Sequence, residues 1–148
     1  MANNINIKNR KIYREFELED KIIAGIQLVG SEIKSIRAGK ASLVDSFCRF
    51  EHGELWLTGV HIAEYRLGTH WNHVPTRERK LLLNRKELTK MHKKVKEKGL
   101  TIVAVRLFIN KDSLAKVEIA LARGKRLYDK REDIKRKDLS REQDRQFK

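Results

Sequence analysis

Ile22-Ile-Ala-Gly-Ile-Gln-Leu-Val-Gly-Ser-Glu-Ile-Lys-Ser-Ile-Arg-Ala-Gly39 is the stretch that decides the fold class. Its first part, Ile22 to Val29, is β-branched and apolar, which favours a strand, and Gly30 ends it. Gly25 inside that strand predicts a bulge or a bend of the kind a small barrel needs. From Ser31 the pattern changes. Ser31 is suited to cap a helix, Glu32 suits its positive end, Ile33 and Ile36 share a face, and Gly39 can close it. The expectation is one or two helical turns. A strand that hands over to so short a helix, with no strand–helix–strand repeat, argues against a doubly wound sheet.

Upstream, Tyr13 to Leu18 alternate with period two and predict a half-buried strand. Residues 1–10 are polar and are expected to be frayed and flexible. Downstream, Leu43 to Phe50 and Glu54 to Val60 flank His52-Gly53, which predicts a hairpin, with His61 to Tyr65 extending its second arm. Asn84 and Glu87 have the capping-box spacing. They predict a helix with Leu88, Met91 and Val95 on its apolar stripe and Gly99 as its stop. Leu100 to Ile109 and Leu114 to Leu121 predict two more strands, joined by Asn110 to Ser113. The fold class is therefore mainly β: a small antiparallel OB-like barrel, two or three short helices, and a basic C-terminal tail. Residues 1–122 form the barrel and 123–148 the tail. The tail carries eleven Lys/Arg against six Asp/Glu, with only Leu127, Tyr128, Ile134, Leu139 and Phe147 apolar. It has too little to bury, so it is expected to be disordered when free and helical only against a partner.

The chain has 148 residues, with 34 Lys+Arg against 20 Asp+Glu, for a net charge of +14. That is one domain with a strong field for polyanions, and nucleic acid is the commonest such partner. No apolar run is long enough to span a membrane, and the start has none of signal-peptide length. A cytoplasmic protein without a membrane partner, monomeric when free, is the expectation. Cys48 stands alone, which excludes disulfide frameworks and thiolate zinc sites.

Catalysis finds little support. His70 and His73 lack a third ligand at helical spacing, no serine sits in a nucleophile elbow, and no glycine-rich phosphate loop exists. No catalytic residue, metal or cofactor is expected. The irregular stretch 65–80 reads better as an RNA surface. Tyr65 and Trp71 can stack on unpaired bases, Asn72 and His73 can bond base edges, and Arg77, Arg79 and Lys80 can meet phosphate. The plain alternative is a solvated loop with Trp71 packed on the barrel rim. Lys34 and Arg37, three apart, share a helix face and form a second patch. Glu32 is either a helix-dipole partner or an acceptor for base amino groups.

Several runs carry a family resemblance: Gly30 to Gly39, Asp45-Ser-Phe47, Asn72-His-Val-Pro-Thr-Arg-Glu-Arg-Lys-Leu-Leu-Leu83, and Ala120-Leu-Ala-Arg-Gly-Lys-Arg-Leu-Tyr-Asp-Lys-Arg-Glu-Asp-Ile-Lys135. In that order they resemble the SsrA-binding protein (small protein B) family, from about Asn9 into the tail. The resemblance implies a barrel that binds the tRNA-like domain of transfer-messenger RNA and delivers it to stalled ribosomes. It also implies a tail that enters the empty mRNA channel near the decoding centre and folds there as a helix. Carried over residue by residue, Ser35 joins Glu32, Lys34, Asn72, His73, Arg77, Arg79 and Lys80 on the RNA side. Gly124, Lys125, Arg126, Asp129, Lys130 and Arg131 fall on the ribosome side, and Tyr128, Ile134 and Lys135 lie in the same segment. Ser31 stands where the family usually has threonine, and Tyr128 where some members have histidine, which leaves a stacking role open to it.

Overall fold

The computed structural model describes residues 5–65 and 72–124. The strand read from the opening stretch is β2 (Phe16–Ile26), and it begins where a single helical turn, α1 (Ile12–Glu15), ends. The alternation from Tyr13 predicted strand there instead. The turn forms because the Arg14 and Glu15 amides close onto the Lys11 carbonyl while Ile12 is buried beside Val103 and Ala122. The bulge in β2 falls between Glu19 and Ile22, where Asp20 takes φ 53°, and not at Gly25. Gly25 serves closure instead. It pairs with Lys116 on one side and Leu82 on the other, and a Cβ there would lie 3.3 Å from the Leu82 Cβ.

α2 (Gly30–Arg37) follows, capped from the extended Val29 and not from Ser31. β4 (Phe47–Glu51) and β5 (Glu54–Thr58) form the expected hairpin. His52 and Gly53 both have positive φ, 54° and 77°, as its two-residue turn requires. The hairpin's second arm does not continue. Gly59, at φ 84°, turns the chain where a Cβ would meet the Asp45 carbonyl at 2.9 Å. β6 (His61–Ile62) then pairs with β3 (Ala41–Ser42) in a sheet of its own.

β7 (Arg79–Leu82) starts within the last two residues of the stretch read as irregular and lies between β5 and β2. α3 (Arg85–Lys98) has the expected capping box: Asn84 Oδ1 accepts from the Glu87 amide at 2.9 Å and the Glu87 carboxylate from the Asn84 amide at 3.1 Å. Leu88 and Met91 are buried, and Gly99 closes the helix in the left-handed region. β8 (Thr101–Ile109) and β9 (Ala115–Gly124) follow. β9 runs past the expected boundary at Ala122, because Glu17 and Phe16 remain as partners for Arg123 and Gly124.

Strands β8-β4-β5-β7-β2-β9 close into an antiparallel ring through the β8–β9 pairing. From Ile5 on, where the described residues begin, the expectation of a frayed segment is corrected. β1 (Asn6–Lys8) pairs with β8, and the buried Asn9 amide donates to the Leu43 and Ala104 carbonyls at 3.2 and 3.1 Å. Leu55, Leu57, Leu81, Leu107, Ile119 and Leu121 are wholly buried inside the ring. Cys48 is buried too, and burial pushes its thiol up, so it is a packing residue. Among the described residues no helix is long and apolar enough to cross a membrane.

Candidate nucleic-acid interface

Val29 has no side-chain oxygen with which to cap α2, so another residue supplies the bond. Glu32 reaches back and accepts from the Val29 amide at 2.9 Å. The carboxylate sits at the positive end of the helix, wholly buried, where an unpaired charge would be costly. Two arginines, Arg77 just before β7 and Arg79 at its first position, prevent that. Arg77 Nη2 and Nε donate to the two carboxylate oxygens at 2.6 and 3.1 Å, and Arg79 Nε donates at 2.8 Å. Burial pushes the Glu32 carboxyl up, but the bonds from Arg77, Val29 and Arg79 outweigh it and hold it below the usual carboxylate range.

The two arginines differ. Arg79 is wholly buried, and it also donates to the Val60 and Pro75 carbonyls at 3.0 and 3.1 Å. It ties α2, the β5–β6 turn and the 74–75 segment together, and no donor of its guanidinium faces solvent. The expected Arg79–phosphate contact is therefore replaced by an internal one. Arg77 keeps 38% of its side chain exposed while gripping Glu32, so it presents a fixed cation at the surface. Glu32 itself offers no oxygen to a base, and of its two readings the helix-end partner is the one realised.

A second set of bonds fixes the edge of the neighbouring segment. Asn72 Oδ1 accepts from the Tyr65 and His73 amides at 3.1 and 3.2 Å, and Nδ2 donates to the Tyr65 carbonyl at 2.8 Å. This clasp holds Tyr65 and Asn72 side by side across 66–71. His73 is buried. Its Nε2 meets the Ile62 carbonyl at 2.9 Å, which can only accept, so Nε2 carries a hydrogen. Its Nδ1 meets the Ser31 hydroxyl at 2.7 Å. The base-edge groups expected of His73, and all but one hydrogen of the Asn72 amide, are thus spent on the fold. Lys34 Nζ lies 5.3 Å from the Tyr65 ring centroid, a cation over an aromatic face.

Lys34 and Tyr65 form an outward-facing cation–aromatic rim, Arg77 is a separate surface cation gripped by Glu32, and Glu32, Asn72, His73 and Arg79 are the scaffold. Arg37 is exposed, with a 3.5 Å contact to the Ser113 carbonyl. Ser35 is buried, and no hydrogen-bond partner for its hydroxyl is found among the described residues. Lys80 stands apart, on β7 opposite Trp56 and 3.8 Å from Glu54. Trp71 and all the tail candidates except Gly124 lie outside the described residues. The Ser31–His73 bond and the Tyr65–Asn72 clasp were missed from sequence. Their only signal was a run of polar residues, which does not say whether they face inward.

The described residues hold no group of three or more His, Cys, Asp or Glu that could bind a metal. Residues 6–148 match the family model described as "SmpB protein". The SsrA-binding protein of Phocaeicola vulgatus is 58% identical over 97% of this chain and 96% of its own length. That of Bacteroides thetaiotaomicron is 57% identical over 98% and 97%. A solved structure described as "tmRNA-SmpB: a journey to the center of the bacterial ribosome" superposes with a TM-score of 0.69 at 44% identity, covering 82% of this chain and 85% of that one. A family model matching residues 6–148 and two relatives more than half identical along nearly their whole length lead to one conclusion: the chain belongs to the SmpB protein family.

Proposed function

We infer that the chain binds the tRNA-like domain of transfer-messenger RNA and delivers it to stalled ribosomes in trans-translation. Relatives named as SsrA-binding proteins support this, as does a structural neighbour whose description joins SmpB, tmRNA and the ribosome. It acts by binding and positioning, without catalysis or a cofactor, as a cytoplasmic protein that is monomeric when free. Two parts divide the work. The barrel, with β9 running to Gly124, holds the RNA, and the residues beyond it serve as a basic tail in the empty mRNA channel, contacting rRNA by the decoding centre.

The observation that carries the reading is the Lys34–Tyr65 cation–aromatic pair at the surface, with Arg77 fixed as a further surface cation by the buried Glu32. A preformed pair loses little side-chain freedom on binding, and it offers a stacking face beside a cation. Arg37, Lys80 and Trp71 are the further candidates for RNA contact. Glu32, Ser35, Asn72, His73 and Arg79 act as its support. On the ribosome side the candidates are Gly124, Lys125, Arg126, Tyr128, Asp129, Lys130, Arg131, Ile134 and Lys135.

Gel-shift titration with transfer-messenger RNA, competed by tRNA and by an unrelated RNA, tests the first part. Binding that an unrelated RNA competes equally would make this a general RNA chaperone, and cleavage of the RNA would make it a nuclease. Truncation after Gly124 tests the second. The shortened barrel should bind the RNA and fail to support tagging on stalled ribosomes. Loss of RNA binding by a folded truncate would overturn the division.

A further inference from the structure

α3 is the most basic of the described elements. Its fourteen residues carry seven Lys/Arg against two Glu, and one of those, Glu87, is spent on the capping box. Leu88 and Met91 turn into the core and Val95 packs against it, which leaves Arg85, Lys86, Lys90, Lys93, Lys96 and Lys98 exposed. Among the described residues, only Lys94 of the seven has a carboxylate partner, Asp20. Lys86, Lys90 and Lys93 stand at i, i+4 and i+7, a row along one exposed face with about 5.4 Å per turn. Beside that row, the helix and the tip of the β4–β5 hairpin enclose a cavity of about 310 Å³. Arg85, Thr89, His92 and His52 line it with polar groups, and its one carboxylate, Glu51, is already bonded to Arg49.

We propose that α3 and the hairpin tip form a second docking surface, which takes the sugar–phosphate backbone of double-helical RNA. The charge names a polyanion, because the row of cations has almost no carboxylate to answer it. The residue types name a backbone contact. Lysines are point charges without base selectivity, and the row exposes no aromatic ring on which an unpaired base could stack. The Thr89 hydroxyl and the two imidazoles suit the ribose 2′-hydroxyls that border the shallow groove of an RNA duplex. The surface is also remote from the Lys34–Tyr65 pair. Lys94 meets Asp20 near the start of β2, whereas α2 follows from its far end at Ile26, about 20 Å along the strand. The barrel can therefore grip two RNA segments at once, one at each end.

Fluorescence anisotropy of the full chain with a short blunt RNA duplex tests it. Replacing Lys86, Lys90 and Lys93 together by Gln, which keeps the helix propensity, should weaken binding about ten-fold and flatten the log–log salt dependence by about two to three units. Replacing the same three by Arg keeps the charge and should restore both. A DNA duplex of the same sequence should bind more weakly, and Thr89→Val should narrow that gap. Unchanged affinity and slope in the Gln variant would overturn the proposal, as would an Arg variant as weak as the Gln variant. A DNA duplex bound equally well would remove RNA as the occupant. A poly-glutamate peptide that binds as tightly as the duplex, through the same lysines, would assign the face to an acidic protein instead. The probe has no tRNA-like fold. A chain that binds it through α3 without preferring transfer-messenger RNA would therefore break the proposed function and leave this surface standing.

Discussion

The chain enters β7 through Arg77-Glu78-Arg79, and neighbouring charges go to opposite destinations. Arg77 and Arg79 turn to the buried Glu32, while Glu78 turns outward to Arg49 at 2.7 Å. Glu51 also pairs with Arg49, so each side holds a three-membered cluster of carboxylates and guanidinium groups. On the outside, water can replace any member, and such pairs contribute little. On the inside nothing can. Removing one buried partner strands the other, which is far more costly than the pair's net contribution. The same residue types thus make a scaffold on one side and solvated decoration on the other.

The largest effect should come from breaking the inner cluster. Glu32→Ala leaves Arg79 buried without its carboxylate and should lower stability by about 3–5 kcal/mol in urea unfolding. Glu78→Ala, its outer counterpart, should leave the unfolding midpoint nearly unchanged. A comparable loss from the two variants would erase the contrast.

Next in size is the split between the arginines. Arg79→Ala should destabilise the fold in the manner of Glu32→Ala, and its RNA affinity should fall with the folded fraction. Arg77→Ala should keep most of the stability but weaken RNA binding. If one phosphate contact is lost, the log–log salt dependence should also flatten by about one unit of slope. A normal slope with Arg77→Ala would take that residue out of the RNA surface.

The distinction between these two arginines was not visible in the sequence. Both sit in a basic, irregular-looking stretch, and a count of charges assigns both to phosphate. Strand β7 escaped notice because Leu81-Leu82-Leu83 shows no alternation, and without a strand there was no period to separate inward from outward residues. Where local chemistry sufficed, the reading held. The Asn84–Glu87 box, the His52-Gly53 turn and the Gly99 stop each depend on a few neighbouring residues. Ser31 was misjudged as a cap because its partner, His73, is distant in sequence and only the fold brings them together. β1 was missed for the same reason, since its polar residues pair through backbone groups that carry no sequence signal.

Acid should expose the inner cluster more gently. The Glu32 carboxyl is held below its ordinary value of 4.5. A group with a depressed folded pKa contributes stability above its unfolded value and loses it as pH falls through the folded one. The wild-type chain should therefore lose stability below about pH 4.5, and Glu32→Gln, already lacking the charge, should show a flatter acid limb. Glu78 and Asp20 are depressed as well, by Arg49 and Lys94, but both are exposed. Replacing Glu78 should leave the limb almost as steep.

The smallest effect on stability should arise at the rim, and there the contrast turns from folding to binding. Lys34 and Tyr65 touch as a cation over a ring, outside the buried cluster. At an exposed site such a contact contributes about 0.5–1 kcal/mol. A double-mutant cycle of Lys34→Met with Tyr65→Leu should therefore return a coupling in unfolding no larger than that. The RNA affinity should respond more strongly, since a stacked base is worth about 1–3 kcal/mol and Tyr65→Leu removes the face on which it would stack. Tyr65→Phe separates the two contributions: it keeps the ring for both the cation and the base and should bind RNA as the wild type does. A loss of affinity with Tyr65→Phe as large as with Tyr65→Leu would assign the role to the hydroxyl. The rim would then recognise RNA by hydrogen bonding, and the cation–ring pair would be incidental to it.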